Sequence, residues 1–172
     1  LDVYPAQDAF AIMAIATLRV IKPSIACSRL STHYNRTFVS VDYPGAALSP
    51  NSVCRLLQEV GQDGRKRKLF YQKRLAAVAA DHHIAIDGTL KQDTSKVNDL
   101  SAFSYKARVK GCQDVSVLYA YDIELMEPIC AEVFPGNSID ASSYPTFIRD
   151  NDIRKGIIVA DKGFPPSSIK NE

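Results

Sequence analysis

His83-Ile84-Ala85-Ile86-Asp87-Gly88-Thr89 is a β-rich apolar run that carries one carboxylate near its end, with glycine and threonine directly after it. Side chains alternate across a strand, so Ile84, Ile86 and Gly88 share one face and Ala85, Asp87 and Thr89 the other. Aspartate is depleted in strands, and one near the end of a core strand calls for a reason. A second stretch repeats the design: Gly156-Ile157-Ile158-Val159-Ala160-Asp161-Lys162-Gly163-Phe164. Either Asp alone reads as an ordinary strand-end or turn residue. Two such strands, with what lies between them, point instead to a shared carboxylate site.

Length and composition narrow the frame around this pair. A chain of 172 residues is one domain, or one domain with a small appendage, and 46% hydrophobic residues suffice for a real core. The net charge of +2 names no partner by itself. Cys27, Cys54, Cys112 and Cys130 are scattered, with no Cys-x-x-Cys and no His at ligand spacing, which reads as reduced cytosolic thiols and argues against a zinc site. The longest apolar run, Ala9 to Ala16, is too short to span a bilayer and lacks the basic leader of a signal peptide. The chain starts with Leu and stops at Ile169-Lys170-Asn171-Glu172 as a new element begins, which reads as a fragment.

Residues 1–80 form a helical region in this reading. Gln7 to Lys22 is apolar on nearly every side and ends at Pro23; a second helix runs from Ser24 to about Tyr34. Thr37 to Ala47, with Pro44-Gly45, reads as a loop. Ser49-Pro50 opens a helix through Val53, Leu56, Leu57 and Val60, with Gly61 as its C-cap. A helix-turn-helix is one reading of this region and a plain bundle the other. Next come Arg65, Lys66, Arg67 and Lys68, with Lys73 and Arg74 one to two turns on and Tyr71, Leu75 and Val78 as an apolar stripe. Such a run is either a solvated face or a set of phosphate contacts placed just before the Asp87 strand.

From residue 81 to 172 the period becomes that of strands. Leu90 to Gly111 is polar and basic and reads as a long loop. Gln113 to Tyr121 alternates as a strand, Asp122-Ile123-Glu124 turns, and Glu127 to Phe134 returns as its hairpin partner, with Asp122 and Glu124 serving the turn. After the Pro135-Gly136-Asn137-Ser138 turn, Asp140 caps a helix from Ala141 to about Asn151, and the strand ending in Asp161 follows. Three antiparallel strands, a crossover helix and a parallel strand describe an α/β fold with a ribonuclease-H-like mixed sheet. The crossover places the fourth strand beside the first, which brings Asp87 and Asp161 onto neighbouring strands. Adjacent carboxylates on a rigid sheet suit hard divalent cations, and two such ions stabilise both oxygens of a phosphoryl transfer.

The motifs resemble those of DDE transposases of bacterial insertion sequences. The resemblance rests on Ile86-Asp87-Gly88-Thr89, Leu118-Tyr119-Ala120-Tyr121-Asp122, Val133-Phe134-Pro135-Gly136-Asn137-Ser138-Ile139-Asp140 and Ile158-Val159-Ala160-Asp161-Lys162-Gly163-Phe164, in the family's order and over about residues 83–166. It implies a catalytic domain that cuts and joins transposon ends with Mg²⁺ or Mn²⁺. Asp87 and Asp161 match the first and second catalytic acids and metal ligands. Transposon-end and target DNA are the implied partners, contacted by Arg65, Lys66, Arg67, Lys68, Lys73, Arg74 and Lys162, with a homodimer as the assembly and the cytoplasm and nucleoid as the location.

The departure from that pattern is the third acid. A Glu on a downstream helix has no counterpart here, since Glu172 follows Asp161 too closely. The alternative reading is therefore a non-catalytic DNA-binding or dimerising remnant. A stand-alone nuclease would have to draw its remaining acid from Asp93 or Asp140. His82 and His83 read as a partly exposed pair at the strand start, with metal or DNA contact as their other use; Lys91 is an ordinary surface lysine or a phosphate contact.

Overall fold

A computed structural model describes residues 2–107, 109–138 and 140–160. The chain divides into two compact units, residues 1–70 and 71–172.

The first unit is helical. Helix α1 (Ala6–Ile21) is followed by a 3-10 turn (Cys27–Arg29), α2 (Leu30–Tyr34), α3 (Val39–Asp42) and α4 (Pro50–Gln62). Ala14, Leu18, Ile25, Leu30, Val39, Leu48 and Val53 close one apolar cluster among them. Burying these side chains, rather than any single capping interaction, holds helices this short, because isolated helices under about 12 residues are marginal in water. The expected loop 37–47 contains the single turn of α3. The Tyr34 hydroxyl organises it, donating to Tyr43 O at 2.7 Å and accepting from Ala46 N at 3.2 Å. The helix expected from Ser24 begins in earnest only at Cys27.

Helix α4 starts where Ser49-Pro50 indicates, with Ser49 Oγ accepting from Ser52 N at 3.2 Å. Gly61 does not end it: the helix runs to Gln62, and Asp63 is the hinge between α4 and α5 (Gly64–Ala76). Asp63 Oδ1 accepts from Lys66 N at 3.0 Å, so its side chain caps the new helix while its own N–H still bonds back to Glu59 O. The backbone hydrogen bond from Lys66 holds the Asp63 carboxyl below its ordinary range, against a smaller opposing effect of burial. One polar residue at the junction satisfies both helices, which a glycine stop could not do.

The second unit holds the sheet. Strands β1 (His83–Asp93), β2 (Gln113–Asp122) and β3 (Glu127–Pro135) run antiparallel, helix α6 (Asp140–Asp150) follows, and β4 (Ile157–Ala160) pairs parallel to β1. The strand order is β3-β2-β1-β4. This is the mixed α/β sheet expected from the sequence, in both order and direction. Strand β1 is longer than its apolar part, because Leu90 to Asp93 continue the ladder opposite Gln113 to Ser116.

Ile84, Ile86, Leu118, Ala120 and Cys130 line the core face and pack with Leu75 and Val78 near the end of α5 and with Tyr144 and Phe147 of α6. Gly88 lies on that face, where a Cβ would meet Leu118 Cδ2 at 2.8 Å. A side chain at the position after Asp87 would therefore require the Leu118 side chain to move. Gly156, directly before β4, has φ +82°, a conformation costly for other residues, and a Cβ there would also crowd Ile84.

Candidate active site

Asp87 sits on the opposite face of β1 and is exposed. Its two oxygens are held differently. Oδ1 accepts from Gly88 N at 2.8 Å, and Oδ2 accepts from the Tyr119 hydroxyl at 3.2 Å. The register makes the second contact, since Tyr119 stands directly opposite Asp87 on β2. Burial raises the Tyr119 hydroxyl above its usual value, and the neighbouring Asp87 carboxylate raises it further. Tyr119 therefore stays protonated at neutral pH and remains a donor. A carboxylate has about four lone-pair directions, so two such bonds orient Asp87 and leave it able to bind a cation.

Strand β4 brings its own chain to the same place. His83 pairs with Ile157, Ile84 with Ile158, Ala85 with Val159 and Ile86 with Ala160. The residues next in sequence after Ile86 and Ala160 are Asp87 and Asp161. Asp161 and Lys162 lie outside the described residues. Around Asp87 this face carries exposed apolar side chains: Tyr119 is 38%, Val133 46%, Ile157 49% and Val159 45% exposed.

Asp93 shares that face, six residues along β1. At the rise of a strand this is about 20 Å from Asp87, too far to share an ion with it. Its carboxylate anchors the segment that follows: Oδ1 accepts from Ser95 N at 2.8 Å and Oδ2 from Ser101 Oγ at 2.9 Å and Asn98 Nδ2 at 2.5 Å. These bonds, that from the Ser95 N–H first, hold Asp93 below the ordinary carboxylate range.

The basic residues divide by what they touch. Arg65, Lys66 and Lys68 are exposed. Lys66 Nζ stands 3.3 Å from Asp63, and Arg65 and Lys66 line a cleft of about 550 Å³ together with Asp8, Glu59 and Asp63. Arg67 donates to Gly61 O at 2.8 Å and so caps the end of α4. Arg74 donates from Nε to Pro128 O at 3.1 Å and pairs with Glu127, tying α5 to β3. Lys73 and Lys91 are exposed.

Three further residues fall outside the expected pair of aspartates. Asp122 is 1% exposed; its Oδ1 accepts from Leu125 N at 2.9 Å, the turn role expected of it, while Oδ2 lies 2.8 Å from His82 Nδ1. Burial pushes the Asp122 carboxyl up, but the Leu125 N–H and the His82 imidazole outweigh it and the net shift is downward. The hydrogen bond to Asp122 raises His82. Glu124 accepts from His83 N at 2.7 Å and lies 2.7 Å from His83 Nδ1, and the His83 side-chain bond lowers it. The only sequence signal for these was two histidines before a strand and two acids in a turn; their meeting depends on the β1–β2 register.

Among the described residues, no helix is long and apolar enough to cross a membrane. No protein-family model matches the chain, and no curated protein matches it. Solved structures similar to it are a pre-cleavage Mos1 transpososome, at 14% identity and TM-score 0.33 over 98% of this chain and 55% of that one, and the Mos1 Strand Transfer Complex, at 16% identity and TM-score 0.32 over 96% and 52%. The chain spans about half the length of the solved chains it matches. Its structural neighbours are thus complexes of the Mos1 transposase, at a similarity too slight to carry a residue-level comparison.

Proposed function

We propose that this chain acts in DNA transposition as a DDE-type transposase of an insertion sequence, cutting and joining transposon ends with Mg²⁺ or Mn²⁺. The observation that carries the reading is the parallel pairing of β4 with β1, in which Ile86 stands opposite Ala160. In sequence Asp87 follows Ile86 and Asp161 follows Ala160. Residues 81–172 supply the catalytic fold in this reading and residues 1–80 the helical region before it.

Asp87 and Asp161 would hold the metal, which would supply charge to stabilise the attacking and leaving oxygens of the phosphoryl transfer. The donor set fits: Asp87 is a solvent-facing carboxylate, oriented by Tyr119 and Gly88 and, among the described residues, in no ion pair. Tyr119 fixes the Asp87 rotamer, which matters because in-line displacement tolerates little misplacement. DNA contact falls to Arg65, Lys66, Lys68, Lys73 and Lys162. Arg67 and Arg74, which already hold α4 and β3, act on DNA only through the elements they brace.

The test is a cleavage and joining assay on transposon-end DNA with Mn²⁺ or Mg²⁺. It is run with these 172 residues and with a longer chain that adds a downstream helix bearing a Glu. The longer chain is expected to cleave and join, with loss in Asp87→Asn and Asp161→Asn. The 172 residues alone are expected not to join, since two carboxylates leave an ion partly hydrated and mobile. Inactivity of both chains, with DNA binding retained, would favour the non-catalytic DNA-binding remnant.

A further inference from the structure

A second group of ligands stands at the other end of the site strand. His82 lies five residues before Asp87, about 16 Å away at the rise of a strand. The donor atoms of His82, Asp122 and Glu124 all lie within 4.8 Å of one another. The group mixes an imidazole with two carboxylates, a nitrogen–oxygen set that suits zinc and its neighbours in the transition series better than magnesium.

Each ligand is already held in place. Asp122 is buried, with Oδ1 fixed by Leu125 N and Oδ2 facing His82 Nδ1 at 2.8 Å. Two ligands of one zinc ion, each about 2.1 Å from it, stand roughly 3.0–3.4 Å apart, so this pair needs only slight widening. Glu124 is oriented by the His83 N–H and imidazole, and its other lone pairs stay available. The elements differ as well: His82 precedes β1, whereas Asp122 ends β2 and Glu124 lies in the following turn.

We infer that His82, Asp122 and Glu124 form a binding site for a divalent transition-metal ion, Zn²⁺ by preference, which clamps the start of β1 to the β2–β3 turn. On binding, the ion takes His82 Nδ1 and Asp122 Oδ2, the proton between them passes to solvent, and Glu124 supplies the third bond. Water completes the coordination. Ligands drawn from two separate stretches make the ion a cross-link between them, with a structural role apart from the Asp87 site.

The probe is Co²⁺, added to the whole chain and followed by visible absorption. One equivalent is expected to give ligand-field bands, displaced by Zn²⁺ and retained in Asp87→Asn. His82→Gln should abolish them, and Glu124→Gln should weaken binding by about tenfold or more. Glu124 is on the surface, so its variant decides the matter even if His82→Gln fails to fold. Absence of bands, bands indifferent to Glu124→Gln, or an intense near-ultraviolet thiolate band showing cysteine ligation would each overturn the assignment.

Discussion

Asp93 shows how one carboxylate can be committed to structure by its neighbours. The three donors around it, Ser95 N, Asn98 Nδ2 and Ser101 Oγ, all belong to the segment that leaves β1. Its lowered pKa means the folded state holds the ionised form more firmly than the unfolded chain does. The stabilisation is therefore present above the ordinary aspartate value of 3.8 and is lost as pH falls through the lower folded value. Thermal midpoints measured from pH 6 downward should drop more steeply for the native chain than for Asp93→Asn. Equal slopes would mean that the loop is held by other bonds. Asp87 and Asp93 are alike in type, strand and face, and only their partners separate a candidate ligand from a loop anchor.

Elements are legible in the sequence wherever their signal is local. The bounds of β2 and β3 follow to within a residue, because alternation and a polar turn are read along the chain. Helix α4 is legible at its start for the same reason: Ser49 and Pro50 act on the turn they begin. Replacing Ser49 by Ala removes the acceptor for Ser52 N and should cost about 1 kcal/mol, measurable by urea unfolding. An unchanged midpoint would place the helix start under the control of packing. The end of α4 escapes such a reading, because Gly61 is the familiar stop whereas Asp63 works through bonds to both helices. Tyr119 belongs to one of the motifs, yet nothing local gives it a role. Its pairing with Asp87 depends on the β1–β2 register, and the long 94–112 connection carries no turn rule that fixes it. Asp122 is legible as a turn residue and illegible as a partner of His82, forty residues earlier in the chain.

At the scale of the molecule, the proposed DNA contact is testable at the exposed cations Arg65, Lys66 and Lys68. Substituting Gln at Arg65, Lys66 and Lys68 while keeping Arg67 should leave α4 capped. If all three neutralise phosphates, the slope of log K against log salt on duplex DNA should become shallower by roughly 2.7. A slope that does not move would put the contact surface elsewhere. The sheet carries a consequence of a different kind. The turn between β2 and β3 closes a loop of a few residues, while the pairing of His83 with Ile157 closes one of about 74. The entropic difference is about 2–2.5 kcal/mol, and β4 has only four residues with which to offset it. The strand that leads to Asp161 should therefore assemble last and open first. In native-state hydrogen exchange, the amides of β4 that bond to β1 should exchange through a local opening that leaves the β2–β3 hairpin protected. A single common opening free energy across the sheet would show instead that β4 is bound into the same cooperative unit.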